Sequence, residues 1–152
     1  MVAWKWSALF LILSSASWIV FVVGFGLRSN WNADTAAVRE EMTGSYLCWW
    51  LFACACPVSM LALFFYSVRT ADCVGVVALF ITGLVIGAAG GVMNVDVSLI
   101  YNHETGDSNV YTNFVAVEAA GTAAYVLIQA VHLPFLFAVV TKRVNSRYMT
   151  SL

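Results

Sequence analysis

Polar side chains recur every three or four residues along one apolar stretch, "VEAAGTAAYVLIQAVHLPF", which covers residues 117–135. On a helix with 100° per residue, their offsets from the first of them are about +40°, -20°, +20° and -40°. One helix face would therefore carry all of them. We call this set the polar seam: Glu118, Thr122, Tyr125, Gln129 and His132.

The polar seam has three competing interpretations. It can be structural, with interhelical hydrogen bonds of ~0.6–2 kcal/mol that fix helix register. It can be a proton or ion path between Glu118 and His132, although no second ionisable group is expected on the other spans. It can hold haem or a metal through His132, but the only other histidine, His103, falls in a predicted loop. We favour the structural interpretation, with these expected hydrogen-bond partners on other helices: Ser14, Ser17, Ser59, Tyr66 and Thr82.

The composition places these residues in a membrane. Of 152 residues, 62% are hydrophobic and 10% are charged, against about 25% charged in an average soluble domain. Apolar runs over about 4–27, 46–67, 73–93 and 114–140 are each near the ~20 residues that a spanning helix needs. The first run could pass for a signal peptide, but its apolar residues continue far enough to favour a retained span. We predict one all-α domain over 1–152, an integral membrane four-helix bundle.

The distribution of Lys and Arg predicts its orientation. Five cations belong to the two ends and the short loop on one side, and two, Arg28 and Arg39, belong to the other. By the positive-inside rule both termini are cytoplasmic and two longer loops face outward. The first loop is expected to contain a short helix over 36–42, and the second covers 94–113. The outer loops would hold most of the acids: Asp34, Glu40, Glu41, Asp96, Glu104 and Asp107.

Glycines in the third span form a second pattern. Gly83, Gly87 and Gly91 are four residues apart, which makes a flat groove that another helix backbone can approach closely. We favour a contact within this chain over a face for a second copy or another subunit. Outside this pattern, Pro57 and Pro134 interrupt the second and fourth spans, where each frees a carbonyl four residues earlier and can bend the helix.

This layout resembles the MARVEL-like tetraspan proteins, through topology and small-residue contacts and not through a specific motif. The resemblance implies a non-enzymatic lateral scaffold or an accessory subunit of a larger membrane assembly. Expected partners are membrane lipid and either copies of itself or other membrane subunits, with no nucleic acid, cofactor or metal. The plasma membrane or a vesicle membrane is favoured, and an organelle inner membrane is the alternative. A small channel or proton/ion transporter that uses the polar seam is the competing function.

Overall fold

The computed structural model describes residues 3–32, 43–69, 72–103 and 109–149, and all of them are helical. The helices are α1 (Ala3–Asn32), α2 (Thr43–Arg69), α3 (Asp72–His103) and α4 (Asn109–Met149). Each contains a segment long and apolar enough to cross a membrane: Lys5–Arg28, Cys48–Val68, Gly75–Asp96 and Asn113–Lys142. The prediction of an all-α structure with four candidate membrane spans is therefore confirmed, and this structure is consistent with an integral multi-pass membrane protein.

The predicted loop over 94–113 is largely wrong. α3 continues to His103 and α4 begins at Asn109, so helix occupies most of that segment. The residues between Asn94 and His103 include no proline or glycine, and tertiary packing outweighs the weak helix propensity of Asn and Asp. The short helix expected over 36–42 lies outside the described residues.

The four helices form a ring in which each packs mainly against two neighbours, with a smaller contact across the ring between α2 and α4. α1 packs on α4 and α2, and α3 packs on α2 and α4. Where the helices meet, the core is aromatic: the Phe52 ring lies edge-on to both Phe21 and Tyr125, with centroids 4.6 and 5.3 Å away. Large side chains that face away from the bundle are mostly apolar. This distribution suits an apolar solvent around the bundle.

The close approach of α1 and α4 depends on two glycines. A Cβ on Gly121 would collide with the backbone nitrogen of Phe21 and lie 2.9 Å from the carbonyl oxygen of Ser17. A Cβ on Gly24 would lie 2.6 Å from the backbone nitrogen of Glu118. Glycine therefore lets the two backbones touch here, as at other small-residue crossings in membrane bundles.

Helix α2 runs through Pro57 without interruption, and α4 through Pro134. Pro57 has no N–H to donate to the carbonyl of Ala53. The indole N–H of Trp18, on α1, donates to that oxygen at 3.0 Å instead. A hydrogen bond from a neighbouring helix thus replaces the one that proline removes.

Candidate functional site

The polar seam lies inside the bundle. All five of its side chains are buried, from completely buried for Glu118, Thr122 and Tyr125 to 4% exposed for His132. Glu118 lies at one end of the bundle, beside Arg28, near the C-terminus of α1 and the N-terminus of α4. His132 lies at the opposite end. We call these the Arg28 end and the His132 end of the bundle.

Glu118 is paired with a cation that the sequence analysis assigned to the outer side of the membrane. Nη2 of Arg28 donates to Oε1 of Glu118 at 3.2 Å. Nε of Arg28 lies 2.8 Å from Oε2 as an ion-pair contact, although its N–H is not aligned for a hydrogen bond. Arg28 is 1% exposed and lies within α1, so it is buried in the bundle and does not sit in the loop that follows the first predicted span. The α1–α4 crossing explains the pairing, because Gly24 lies one helical turn before Arg28 and against the backbone of Glu118.

Aromatic side chains and a second carboxylate surround the guanidinium. Its central carbon lies 3.8 Å from the centroid of the Trp49 ring and 5.6 Å from that of Phe25, within the range of cation–π attraction. Asp96 is completely buried on α3 and interacts electrostatically with both Arg28 and Glu118. The expectation that Asp96 lies in a loop is wrong, and so is the expectation that Glu118 has no ionisable neighbour on the other spans.

The middle of the seam is held by ordinary hydrogen bonds. Thr122 donates to the backbone carbonyl of Glu118 at 3.0 Å. The amide of Gln129 donates to the hydroxyl of Ser14 at 3.0 Å, as expected. Tyr125 interacts with Cys56 and Ser59, but its hydroxyl makes no hydrogen bond of good geometry with a described residue.

Among the described residues, the remaining expected partners make no hydrogen bond of good geometry with the seam. The hydroxyls of Ser59 and Thr82 lie 2.6 Å apart and join α2 to α3. Ser17 donates to the carbonyl of Leu13 within α1. The ring of Tyr66 packs where a Cβ on Gly75 would lie. Within the described part of the chain, Ser14 is therefore the one expected partner that has a hydrogen bond of good geometry with the seam.

At the His132 end, several buried polar atoms have no hydrogen-bond partner among the described residues. The imidazole stacks on the Phe10 ring with centroids 4.5 Å apart and planes 14° from parallel. Neither ring nitrogen has a hydrogen-bond partner among the described residues, and the same holds for Oγ of Ser7 and Oε1 of Gln129. These side chains line a shallow cleft with Met60 and Leu63. In the part of the chain that the structure describes, no three His, Cys, Asp or Glu side chains are grouped to hold a metal.

The glycine groove on α3 faces away from the bundle. A Cβ on Gly83, Gly87 or Gly90 would have no described atom within 4 Å, so the favoured contact within the chain is wrong for Gly83 and Gly87. Gly91 does face inward, since a Cβ there would lie 3.0 Å from Sγ of Cys48. The Asn94 side chain is exposed and falls on the same helix face as Gly83, Gly87 and Gly90.

The two charged residues that sequence analysis missed had a detectable signal. Asp96 continues a buried stripe on α3 through Val85, Ala89 and Val92, with spacings of four, three and four residues. The same helical spacing, continued past residue 93, would have predicted that Asp96 faces the interior of the bundle. Arg28 lies four residues after Gly24, on the same face of α1.

The sequence matches no protein-family model, no curated protein and no solved structure. The resemblance to MARVEL-like tetraspans thus has no family match behind it.

Proposed function

We propose that this protein is a non-enzymatic multi-pass membrane protein that associates laterally, as a scaffold or as an accessory subunit of a larger membrane assembly. The observation that carries the proposal is the outward-facing glycine groove, now defined as Gly83, Gly87 and Gly90 with the exposed Asn94. Its partners would be membrane lipid together with a second copy or another membrane subunit. The topological resemblance to MARVEL-like tetraspans agrees with this role.

The groove suits a helix partner for two physical reasons. Apolar side chains gain nothing by leaving lipid for a helix surface, so helix association in membranes depends on close van der Waals packing and polar contacts. Gly83, Gly87 and Gly90 leave this face without side chains over about two turns and let a second backbone approach. Asn94 then offers an amide that can bond across the interface and would otherwise face hydrocarbon or headgroups.

The experiment is a size measurement on gently extracted protein that carries Gly87→Leu. We expect the wild type to form a defined assembly in native mass spectrometry and Gly87→Leu to lose it, because the leucine fills the groove. Gly26→Leu is the matched control: Gly26 is also exposed with open space beside it, but lies on α1. An assembly that survives Gly87→Leu unchanged, or that Gly26→Leu disrupts equally, contradicts the proposal.

The orientation proposal becomes stronger once Arg28 is treated as buried. Its charge is neutralised within the bundle, so the positive-inside comparison is five cations against Arg39 alone. We propose that the Lys5 end of α1 and the Lys142 end of α4 are cytoplasmic, in a plasma or vesicle membrane. Cysteine accessibility on either side of sealed vesicles would test this orientation.

A proton or ion path is the second candidate, and the newly found charges favour it. Arg28, Asp96 and Glu118 lie at one end of the bundle and His132 at the other, with Tyr125 between them. Buried ionisable groups in spanning helices commonly mark ion or proton pathways. If the seam conducts, Glu118→Gln and His132→Gln each abolish flux in reconstituted vesicles.

The control for the flux measurement is Thr141→Ala, which changes an exposed residue on the same helix. It should leave flux at the wild-type level. Flux that persists in both seam variants excludes this candidate without bearing on lateral association.

A further inference from the structure

Ionisable side chains from three helices meet at the Arg28 end, and their charges do not balance. Arg28 comes from α1, Asp96 from α3 and Glu118 from α4, and each is at most 1% exposed. Trp49 of α2 covers the guanidinium and contacts the carboxylate of Asp96. When all three groups are ionised, the described part of this cluster has two negative charges and one positive.

The geometry distinguishes the two carboxylates. Both oxygens of Glu118 face the guanidinium, at 2.8 and 3.2 Å from its nitrogens. Neither oxygen of Asp96 makes a hydrogen bond of good geometry with a described residue, although the side chain is completely buried. Glu118 is therefore the carboxylate in direct contact with Arg28, whereas Asp96 shares the same cation only through a longer-range electrostatic interaction.

Burial makes an uncompensated charge strongly unfavourable, and the described part of the cluster is one positive charge short. A bound proton supplies this positive charge without occupying extra space, because it converts one carboxylate into a neutral carboxylic acid. A metal cation would have to share the site with the Arg28 guanidinium, which repels it.

We propose that the Asp96–Glu118 pair is a proton-binding site that holds one proton in the folded protein at neutral pH, carried on Asp96. This inference concerns the interior of the bundle and does not depend on lateral association. It also does not require transport, since a bound proton is compatible with either candidate function.

The number of bound protons can be read from the pH dependence of stability. In the unfolded protein both carboxyl groups are ionised at neutral pH, so the folded state holds one more proton. Stability therefore falls as pH rises, and the unfolding constant increases about tenfold per pH unit. The measurement is reversible unfolding in mixed detergent micelles from mildly acidic to mildly alkaline pH.

We expect three different pH dependences of stability for the wild type and two charge variants. Asp96→Asn leaves a neutral Arg28–Glu118 pair, so the tenfold dependence disappears relative to the wild type. Arg28→Gln leaves two uncompensated carboxyl groups and raises the dependence to about a hundredfold per pH unit. The other titratable groups are the same in all three proteins and cancel in the comparison. A wild type and an Asp96→Asn variant with equal slopes overturn the proposal.

Two alternatives for the missing charge have their own outcomes. Arg39, which lies outside the described residues, is the first alternative. If it compensates Asp96, the stability of the wild type shows no pH dependence beyond that of Asp96→Asn, and Arg39→Gln creates one. Our expectation is that Arg39→Gln has the same pH dependence as the wild type. If a sodium ion compensates Asp96, replacing Na⁺ by choline at constant pH destabilises the wild type and not Asp96→Asn. Either result would overturn proton binding.

Infrared spectroscopy gives a direct readout that does not depend on unfolding. The wild type should show the carbonyl stretch of a protonated carboxylic acid at neutral pH. Asp96→Asn and Glu118→Gln should each lose that band, because the remaining carboxylate pairs with Arg28. A wild-type spectrum with ionised carboxylates only contradicts the assignment.

Discussion

The hydrogen bond from Trp18 to the carbonyl of Ala53 gives a quantitative test of how α1 and α2 are joined. Trp18→Phe removes the donor, which lies 3.0 Å from its acceptor. Because Pro57 supplies no N–H, the carbonyl then has no partner on its own helix. In a Pro57→Ala background, the restored N–H of residue 57 can donate to the same oxygen. Trp18→Phe should therefore destabilise the protein less in that background.

The expected coupling follows from the energy of one buried hydrogen bond. A carbonyl left unsatisfied costs about 1–3 kcal/mol, but interhelical hydrogen bonds measured in a membrane protein average only ~0.6 kcal/mol. We expect a coupling of about 1 kcal/mol between Trp18→Phe and Pro57→Ala. The packing lost from indole to phenyl is common to both backgrounds and cancels in the cycle.

Four proteins are needed for this cycle: the wild type, the two single variants and the double variant. Their free energies of unfolding can be measured by circular dichroism as dodecyl sulfate replaces a mild detergent. Trp6→Phe is the matched control, since Trp6 is exposed and has a ring contact with Phe135; it should show no coupling to Pro57→Ala. Additivity of Trp18→Phe and Pro57→Ala within about 0.3 kcal/mol would refute the replacement of one hydrogen bond by the other.

The same unfolding assay tests three further features. Gly121→Ala should destabilise the bundle by about 1–3 kcal/mol because its Cβ meets backbone of α1, whereas Gly26→Ala should be neutral or stabilising by up to about 1 kcal/mol; equal effects would contradict the close crossing. Arg28→Gln should lower the free energy of unfolding by about 3–5 kcal/mol at neutral pH. Glu118→Gln should lower it by less, about 1–3 kcal/mol, because Asp96 remains as a partner for the guanidinium. The reverse order would show that Asp96 does not share Arg28. His132→Phe should change stability by less than about 1 kcal/mol, since both ring nitrogens lack partners among the described residues, and a larger loss would reveal a partner.

Apolar length was enough to locate the four spans, because each lipid-crossing helix must satisfy its own backbone. The helical spacing of Glu118 and Gln129 also predicted that both side chains face the interior of the bundle. What the sequence did not predict is which helices are neighbours. The Arg28–Glu118 pair joins residues 90 positions apart, and it depends on a glycine crossing whose partners are recognisable only once α1 and α4 are adjacent.

The sequence also could not predict whether the glycine groove faces the bundle or the membrane. Small residues at every fourth position indicate that a backbone can come close, and the pattern is identical for a contact within the chain and one outside it. Gly121 packs inside the bundle and Gly87 does not, although both lie within a candidate membrane span. Only the packing of the other three helices determines the difference.

Helix α3 contributes to both the proposed association surface and the proposed proton site, on opposite faces. Gly87 faces away from the bundle, while Asp96 and Thr82 face its interior. A leucine at position 87 therefore changes the outward face without entering the charge cluster, and Asp96→Asn changes the cluster without altering the groove. The two proposals can fail independently, provided that each variant keeps the hydrogen bond between Ser59 and Thr82 that holds α3 against α2. If Gly87→Leu altered the pH dependence of stability, the two faces would be mechanically coupled through α3, and an effect of either variant on assembly could no longer be assigned to one face alone.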